Sequence, residues 1–313
     1  MSIFDAIIQG IVQGLTEFLP VSSSGHLLIS QHILGVRENN LFFNVMLHIG
    51  TLIAVLAVYR KEILELICAF FKMIAKFFGG KFKLNSATDD ERKIISLVIG
   101  LLPLFLLFLP VPGSGMSVKD VAEELSADSN ILIVGIFLLF TSFMLKKGIN
   151  AVKSVKVRDV NCKGSELVFG RTNMTYMDSL WIGITQLIAA IFPGISRSGS
   201  TLSTGLMRGV DKKTALDYSF ILGIPAIVAA SLLELKEAFE QDLISSIDLT
   251  PVMIGMVVSA VVGFLSIKAF KWLLKTDKMM VFVVYTFIVG LISVVIGVVE
   301  KFMGVNIFTG VSL

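Results

Sequence analysis

The sequence QGLTEFLPVSSSGHLL, residues 13–28, places polar and charged side chains inside an otherwise apolar N-terminal segment. Gln13 and Glu17 are four positions apart, so a helix presents both side chains on one face. Pro20 ends that helix, and the three serines that follow supply turn and N-cap residues for a second helix, which carries His26 in its first turn. The segment therefore predicts a broken helix whose polar residues need partners.

The composition around this segment is that of an integral membrane protein. Of the 313 residues, 55% are hydrophobic and 16% are charged, and the mean hydropathy is +0.85. The apolar segments lack the alternating pattern of barrel strands, so the membrane-crossing elements are predicted to be helices. Six full-length spans are predicted, at 42–60, 94–110, 130–146, 216–234, 252–274 and 280–299, and residues 62–78 form an amphipathic extension that carries lysines.

Neither the N-terminus nor the cysteines indicate a separate function. The start, MSIFDAIIQG, lacks the basic flank and cleavage site of a secretory signal, so we expect it to belong to the mature fold. Cys68 and Cys162 match neither a metal ligand set nor a disulfide framework, so both are expected to be reduced and without a role.

Two further apolar segments, 5–34 and 177–208, are each broken near the middle by proline and glycine. Each half has about 10 to 15 residues, which is too short to cross a hydrocarbon core of about 30 Å. Both segments are therefore predicted to be re-entrant hairpins. When all basic loops are placed in the cytoplasm, the first hairpin enters from outside and the second from the cytoplasm, so their tips meet within the membrane.

An internal repeat indicates the same architecture. Four residue pairs are each separated by 173 positions, namely Asp5 and Asp178, Gly10 and Gly183, Gln13 and Gln186, and Pro20 and Pro193. Three spans follow each hairpin, and an odd number of crossings gives the two halves opposite orientations. The predicted fold is thus an all-α polytopic membrane protein with six transmembrane helices and two re-entrant hairpins. It is a single domain of residues 1–313, in which 1–146 and 177–313 form an inverted-topology repeat.

The second hairpin repeats the polar break of the first in the sequence PGISRSGST, residues 193–201. Two helix N-termini, several hydroxyl groups and the guanidinium of Arg197 would then converge, and such groups bind anions, phosphates above all. A carboxylate at Glu17, an imidazole at His26 and the serine hydroxyls add a nucleophile and a proton shuttle for phosphoryl transfer.

Each of these residues also has a purely structural interpretation. Ser22 and Ser198 are residue types that cap helices in any protein, and Arg197 is able to pair with a structural carboxylate. The Glu17 side chain is able to join neighbouring helices, and His26 is able to serve as a packing residue. His48, near the outer end of a span, is expected to have a structural or pocket-lining role. The combination in two similar hairpins favours the functional interpretation.

The two motifs resemble those of a known family. QGLTEFLPVSSSGH is similar to the (E/Q)xxxE motif with its serine-rich turn and histidine, and PGISRSGST is similar to the PGxSRSxxT motif, of the bacterial undecaprenyl pyrophosphate phosphatases of the bacitracin-resistance type. The resemblance extends to DYSFILGIPAI at 217–227. It implies a multi-pass enzyme of the bacterial inner membrane that removes the terminal phosphate of undecaprenyl pyrophosphate and regenerates the carrier of cell-wall precursors.

The resemblance also implies roles for individual residues. Glu17 belongs to the first-motif pair, Ser23 aligns with the nucleophile, His26 with the proton-transfer residue and Arg197 with the pyrophosphate-binding arginine. The substrate-binding positions implied in this way are Gln13, Ser22, Ser24, Gly194, Ser196, Ser198 and Thr201. Mg²⁺ or Ca²⁺ is expected to accompany the pyrophosphate without a protein ligand set of its own, because the first motif has Gln13 in place of a second carboxylate. No organic cofactor is expected.

The alternative function is a lipid flippase or an anion transporter, because inverted repeats with broken helices also serve alternating access. An ion channel is disfavoured, since no span shows a filter sequence or a charged stripe. We expect no nucleic-acid partner, a homodimer is compatible with the sequence, and the pocket is expected to open on the extracytoplasmic side.

Overall fold

The computed structural model describes residues 2–35, 41–127, 130–154, 156–158, 167–240, 248–276 and 278–312. Its helices, in chain order, are α1 (Ile3–Thr16), α2 (Ser23–Leu34), α3 (Leu41–Phe78), α4 (Asp89–Leu101), α5 (Val118–Ala127), α6 (Ile131–Ser154), α7 (Tyr176–Ile191), α8 (Arg197–Met207), α9 (Lys212–Glu240), α10 (Leu249–Lys275) and α11 (Met280–Met303). Two 3₁₀ segments lie at Leu84–Ser86 and Leu102–Phe108. Strands β1 (Lys156–Arg158) and β2 (Leu167–Phe169) pair antiparallel.

Long apolar helices dominate this architecture. Five of them, α3, α6, α9, α10 and α11, are long and apolar enough to cross a membrane by length and composition. They contain five of the six predicted spans, and the chain is accordingly a multi-pass membrane protein.

The predicted span at 94–110 differs from the other five. It is not one α-helix, because α4 ends at Leu101 and the chain continues as a 3₁₀ helix to Phe108. Pro103 explains the change, since it has no backbone N–H to donate and its ring clashes with the carbonyl group four residues earlier. The segment predicted as the sixth span is therefore an α-helix continued by a 3₁₀ helix, and it is not among the five long apolar helices.

The predicted amphipathic extension is the second half of α3. This helix has 38 residues and is thus about 57 Å long at 1.5 Å per residue, roughly twice the thickness of a hydrocarbon core. Near its end, Lys76 Nζ lies 2.6 Å from Glu91 Oε1 at the start of α4. The hydrogen bond from Lys76 holds the pKa of Glu91 below its ordinary value, and the pair fixes the extension against α4.

The expectation of an all-α chain needs one correction. The short β1–β2 ribbon joins the C-terminal end of α6 to the segment before α7. Cys68 is an exposed free thiol, as predicted, whereas Cys162 lies outside the described residues.

Two pairs of short helices correspond to the predicted hairpins. The first pair is α1 and α2, of 14 and 12 residues, and the second is α7 and α8, of 16 and 11 residues. At 1.5 Å per residue, none of the four covers a core of about 30 Å. The first helix of each pair starts with a capping box, formed by Ser2 with Asp5 and by Thr175 with Asp178.

The helices around the hairpins bury a chain of aromatic side chains that we call the aromatic floor, made of Phe18, Tyr59, Phe220, Phe270 and Phe282. Phe220 is its centre, with ring centroids 5.4 Å from Phe18 and 6.1 Å from both Tyr59 and Phe270. At its far end the Tyr59 hydroxyl donates to Asp217 Oδ1 at 2.7 Å, and Lys271 Nζ lies 3.3 Å from the same oxygen. The aromatic floor thus extends from Phe18, the residue after Glu17, to the ion pair of Asp217 and Lys271.

Candidate active site

The two helix breaks are in direct contact. The Ser198 hydroxyl, in the first turn of α8, donates to the carbonyl oxygen of Leu19 at 3.0 Å. A Cβ atom added to Gly25 would lie 3.3 Å from the Cα atom of Gly194, so the backbones of the two tips approach closely. Gly194 has φ +94°, in the region that favours glycine. The tips meet inside the helix bundle, as the sequence predicts.

Glu17 lies at the centre of this contact and is 6% exposed. Its Oε1 accepts a hydrogen bond from Arg197 Nη2 at 2.7 Å. Its Oε2 accepts one from the Ser23 hydroxyl at 2.7 Å and one from Gln13 Nε2 at 3.0 Å. Residues from both hairpins, 180 positions apart in sequence, therefore meet on one carboxylate.

Arg197 reaches Glu17 because α9 leaves room for its guanidinium. A Cβ atom on Gly223 would lie 2.7 Å from Arg197 Cζ, which is closer than real Cβ contacts allow. Gly223 belongs to the segment DYSFILGIPAI, but no feature of the sequence alone identified its contact with Arg197. The ion pair shows that Arg197 does pair with a carboxylate, and that this carboxylate is Glu17.

Both tips start a helix with a serine cap. The Ser22 hydroxyl accepts from Gly25 N at 3.2 Å, and the Ser196 hydroxyl from Gly199 N at 3.0 Å. Four backbone N–H groups in the first turns of α2 and α8 have no acceptor in the described parts of the chain. They belong to Ser23, Ser24, Arg197 and Ser198. These donors at two positive helix ends are available to an anion.

Ser22 caps its helix in a strained conformation. It has φ 73° and is the one non-glycine residue with a positive φ in the described ranges. Such a conformation costs of order 1 to 3 kcal/mol and is typical of functional sites. Ser22 is thus the N-cap of α2, as its residue type allows, whereas the Ser198 hydroxyl donates to the other hairpin.

Other predicted binding residues use their polar groups within the protein. Ser196 N donates to Thr141 Oγ1 at 3.1 Å. The Thr201 hydroxyl donates to the Arg197 carbonyl at 2.8 Å and lies 2.6 Å from the Ser219 hydroxyl. Thr201 is fully buried, so it holds α8 against α9 and positions Arg197, whereas Ser24 is exposed at its tip.

His26 points away from the carboxylate. Its Nδ1 donates to the Ser22 carbonyl at 2.7 Å, so its Nε2 accepts from the Tyr285 hydroxyl at 2.9 Å. The two rings are stacked with centroids 5.6 Å apart. In the described structure His26 makes no hydrogen bond to Glu17, Ser23 or Arg197. Tyr285 is therefore a site neighbour that sequence reasoning missed, since a tyrosine in a membrane-spanning helix carries no distinguishing signal.

His48 is the histidine that does reach the carboxylate. Its Nδ1 lies 2.9 Å from Gln13 Nε2 and 3.6 Å from Glu17 Oε2. Its side chain is 29% exposed, so of the two expected roles the structure favours lining of the pocket.

The site residues do not form a protein ligand set for Mg²⁺ or Ca²⁺. Within the described part of the chain, no group of three His, Cys, Asp or Glu side chains is arranged to hold a metal ion. Both oxygens of Glu17 already accept hydrogen bonds from Arg197, Ser23 and Gln13. Mg²⁺ is commonly bound through one or two carboxylates together with water and substrate phosphates, so a diphosphate would have to supply much of its coordination here.

The fold and the site define a class: a polytopic membrane protein with a buried carboxylate, a serine hydroxyl and an arginine at the junction of two broken helices. Comparison with known proteins identifies the family within this class. The chain belongs to the family described as bacitracin resistance protein BacA, which matches residues 6–292.

Relatives of similar length carry one common name. The chain is 35% identical over 302 residues to the protein named undecaprenyl-diphosphatase of Methanosphaera stadtmanae, covering 96% of this chain and 99% of the relative. It is 37% identical over 298 residues to the protein of the same name from Alkaliphilus metalliredigens, covering 94% of this chain and 98% of the relative.

Proposed function

We propose that this protein is an undecaprenyl-diphosphatase, which hydrolyses undecaprenyl pyrophosphate to undecaprenyl phosphate and inorganic phosphate and so recycles the lipid carrier. The family and the shared name of its relatives support this function. The observation that carries it is the position of Glu17, which binds a serine hydroxyl and an arginine through its two oxygens. This arrangement supports the roles of Glu17 as base, Ser23 as nucleophile and Arg197 as anion-binding cation.

In the proposed mechanism, Arg197 and the first-turn N–H groups of α2 and α8 bind the diphosphate. Ser23 Oγ attacks the terminal phosphorus, and its proton moves to Glu17 Oε2, which is 2.7 Å away. The Ser23 Oγ–P bond forms while the bridging P–O bond breaks, and the lipid monophosphate leaves. The proton on Glu17 then leaves to solvent, which restores the carboxylate. Water attacks the phosphoserine and gives a proton to Glu17, which passes it to Ser23 Oγ as the Oγ–P bond breaks, and inorganic phosphate is released.

The remaining predicted residues have supporting roles in this proposal. Gln13 orients Glu17, and Ser22, Ser24, Gly194, Ser196 and Ser198 shape the two tips around the diphosphate. For His26 to transfer a proton to or from a phosphate oxygen, its Nε2 must exchange the Tyr285 hydroxyl for that oxygen. We infer that Mg²⁺ or Ca²⁺ enters with the diphosphate and neutralises part of its charge, since the protein residues do not bind it by themselves.

We also propose that residues 1–146 and 177–313 form an inverted repeat in the cell membrane, with α4 and its 3₁₀ continuation as the sixth crossing and both short helix pairs as re-entrant hairpins. The matched capping boxes support this arrangement. So do the matched glycines, because Gly10 packs against α10 of the second half and Gly183 against α4 of the first half. The pocket would then open on the extracytoplasmic side.

Phosphate release by detergent-purified protein tests the function. Wild-type protein is expected to release inorganic phosphate from undecaprenyl pyrophosphate, and Glu17→Ala, Ser23→Ala, His26→Ala and Arg197→Ala to release much less. Detergent micelles have no second compartment, so a flippase or transporter without hydrolytic activity would release none. An absence of phosphate release by folded wild-type protein would rule out the proposed function.

A further inference from the structure

We propose that His48 is a proton-relay residue that acts through Glu17. The proposal rests on the proposed function, because it concerns the proton that Ser23 gives to Glu17 during attack. The motifs that predict the site do not include His48, and its contact with the site is visible only in the folded chain.

The amide of Gln13 defines the state of the imidazole. Gln13 Nε2 lies 3.0 Å from Glu17 Oε2 and 2.9 Å from His48 Nδ1. An amide nitrogen is only a donor, and the opposite amide orientation would direct an oxygen at the carboxylate. His48 Nδ1 therefore accepts, so its lone pair faces Gln13 and Glu17 while its proton is on Nε2. Such an imidazole is ready to receive a proton from Glu17.

Glu17 is buried, so a proton on its carboxyl group needs a neighbouring side chain that can accept it. It is 6% exposed, whereas the His48 side chain is 29% exposed. A proton taken by Glu17 can go to Ser23, to the substrate or to His48, and His48 is an imidazole that is more exposed than the carboxylate. The other histidine of the site, His26, is directed to Tyr285.

The charged groups that face His48 come from two neighbouring helices. Glu17 on α1 and Glu234 on α9 both interact with it electrostatically. The part of α10 at residues 249–267 carries no charged side chain, and the charged residues of α4 lie at 89–93, at its start. An imidazolium at position 48 would thus lie between two carboxylates, with Arg197 on the far side of Glu17.

The relay adds one step to the reaction. After Ser23 attack, the proton on Glu17 Oε2 moves to His48 Nδ1, across a separation of 3.6 Å that a side-chain rotation or one water molecule closes. The Nε2 proton of the imidazolium then passes to solvent, which restores a neutral ring after one tautomer change. Glu17 is again a carboxylate and is able to deprotonate the attacking water. No bond to phosphorus changes in this step.

The test compares His48→Gln with His32→Gln in phosphate release across pH. His32 is the matched control, because it is also bonded to a carboxylate, Glu300, at 2.8 Å but lies at the C-terminal ends of α2 and α11. We expect His48→Gln to lower kcat about 10- to 100-fold with little change in KM, as for a positioned proton-transfer group. The acid limb of its pH profile should move to lower pH, since a neutral imidazole is no longer required. His32→Gln should retain the wild-type profile.

Chemical rescue separates a relay from a structural role. In His48→Ala, added imidazole should restore part of the lost turnover, whereas it should not affect His32→Ala. A His48→Gln protein with the wild-type pH profile overturns the relay, and so does a His48→Ala protein whose loss is not rescued. In both cases an active wild type leaves the proposed phosphatase function intact, whereas an inactive wild type overturns the function and the relay together.

Discussion

The two hairpin tips share a scaffold and differ in chemistry. Both begin with a capping box, carry a buried glutamine, break at a proline and restart with a capping serine. At the offset of 173 positions, however, Glu17 corresponds to Ala190, Ser24 to Arg197 and His26 to Gly199. In the proposed mechanism, the first tip supplies the base and the nucleophile, and the second supplies the cation. Neither tip alone contains a complete site.

The buried glutamines of the two tips, Gln13 and Gln186, differ in their hydrogen bonds. Gln13 donates to Glu17 and contacts His48, whereas both amide atoms of Gln186 are buried without a partner among the described residues. In the proposed repeat, the second copy thus has the same residue type where the neighbouring carboxylate is absent. A repeat can thus preserve its framework while only one copy retains the residues around a reacting group.

The serines provide the strongest test of this comparison. Ser23→Ala is expected to lower phosphate release by about 10⁴-fold or more, because it removes the attacking hydroxyl. Ser196→Ala, at the corresponding position, removes a helix cap and should cost about 1 kcal/mol of stability and less than about tenfold in turnover. Phosphate release and thermal unfolding of both variants measure the two effects. Equal losses of turnover in the two variants would contradict the assignment of Ser23 as nucleophile.

The arginine of the second tip should rank next. Arg197→Ala is expected to lower turnover about 10³-fold, as the loss of a charge-stabilising donor does. It should also destabilise the protein by about 3 kcal/mol, because Glu17 stays buried without its partner. The double variant Glu17→Gln, Arg197→Gln should regain much of that stability but no turnover. Near-normal turnover of purified Arg197→Ala would remove Arg197 from the mechanism.

Substitution by methionine is expected to have different effects on turnover at the two glutamines. Gln13→Met should lower turnover about 10- to 100-fold, because Glu17 and His48 lose the amide between them. Gln186→Met should leave turnover unchanged and raise the melting temperature, since it removes two buried polar atoms that lack partners. A loss of turnover in Gln186→Met would show that the second glutamine also has a functional role.

The capping boxes give the smallest expected effect on turnover. Asp178 is buried and bonded to Arg171 and Arg208 at 2.7 and 2.9 Å, whereas Asp5 bonds only to Ser2. Asp178→Asn should therefore destabilise the protein by about 3 kcal/mol and Asp5→Asn by about 1 kcal/mol or less. Both variants should retain more than about a third of wild-type turnover. Similar melting temperatures of the two would show that the ion pairs of Asp178 add little.

Much of this arrangement was predictable from sequence because its signals are local. Proline breaks, short apolar segments and four-residue spacing predicted both helix pairs and placed Glu17, Ser23 and Arg197 near one another. The interruption of the span at 94–110 depends on Pro103, whose effect in an apolar helix varies with tertiary context. The partners of His26 and His48 depend on side-chain direction in the packed bundle. Space for Arg197 beside Gly223 is likewise a property of two packed helices.

The aromatic floor gives the proposed reaction a direction. The five rings extend from Phe18, the residue after Glu17, to the Tyr59–Asp217–Lys271 contacts, where Lys271 belongs to the basic segment at 268–278. A hydrated phosphate ion would have to lose its water shell to cross that layer, at a cost of many kcal/mol. In the proposed orientation, the liberated phosphate would leave on the extracytoplasmic side. Its recovery by the cytosol requires a separate uptake step.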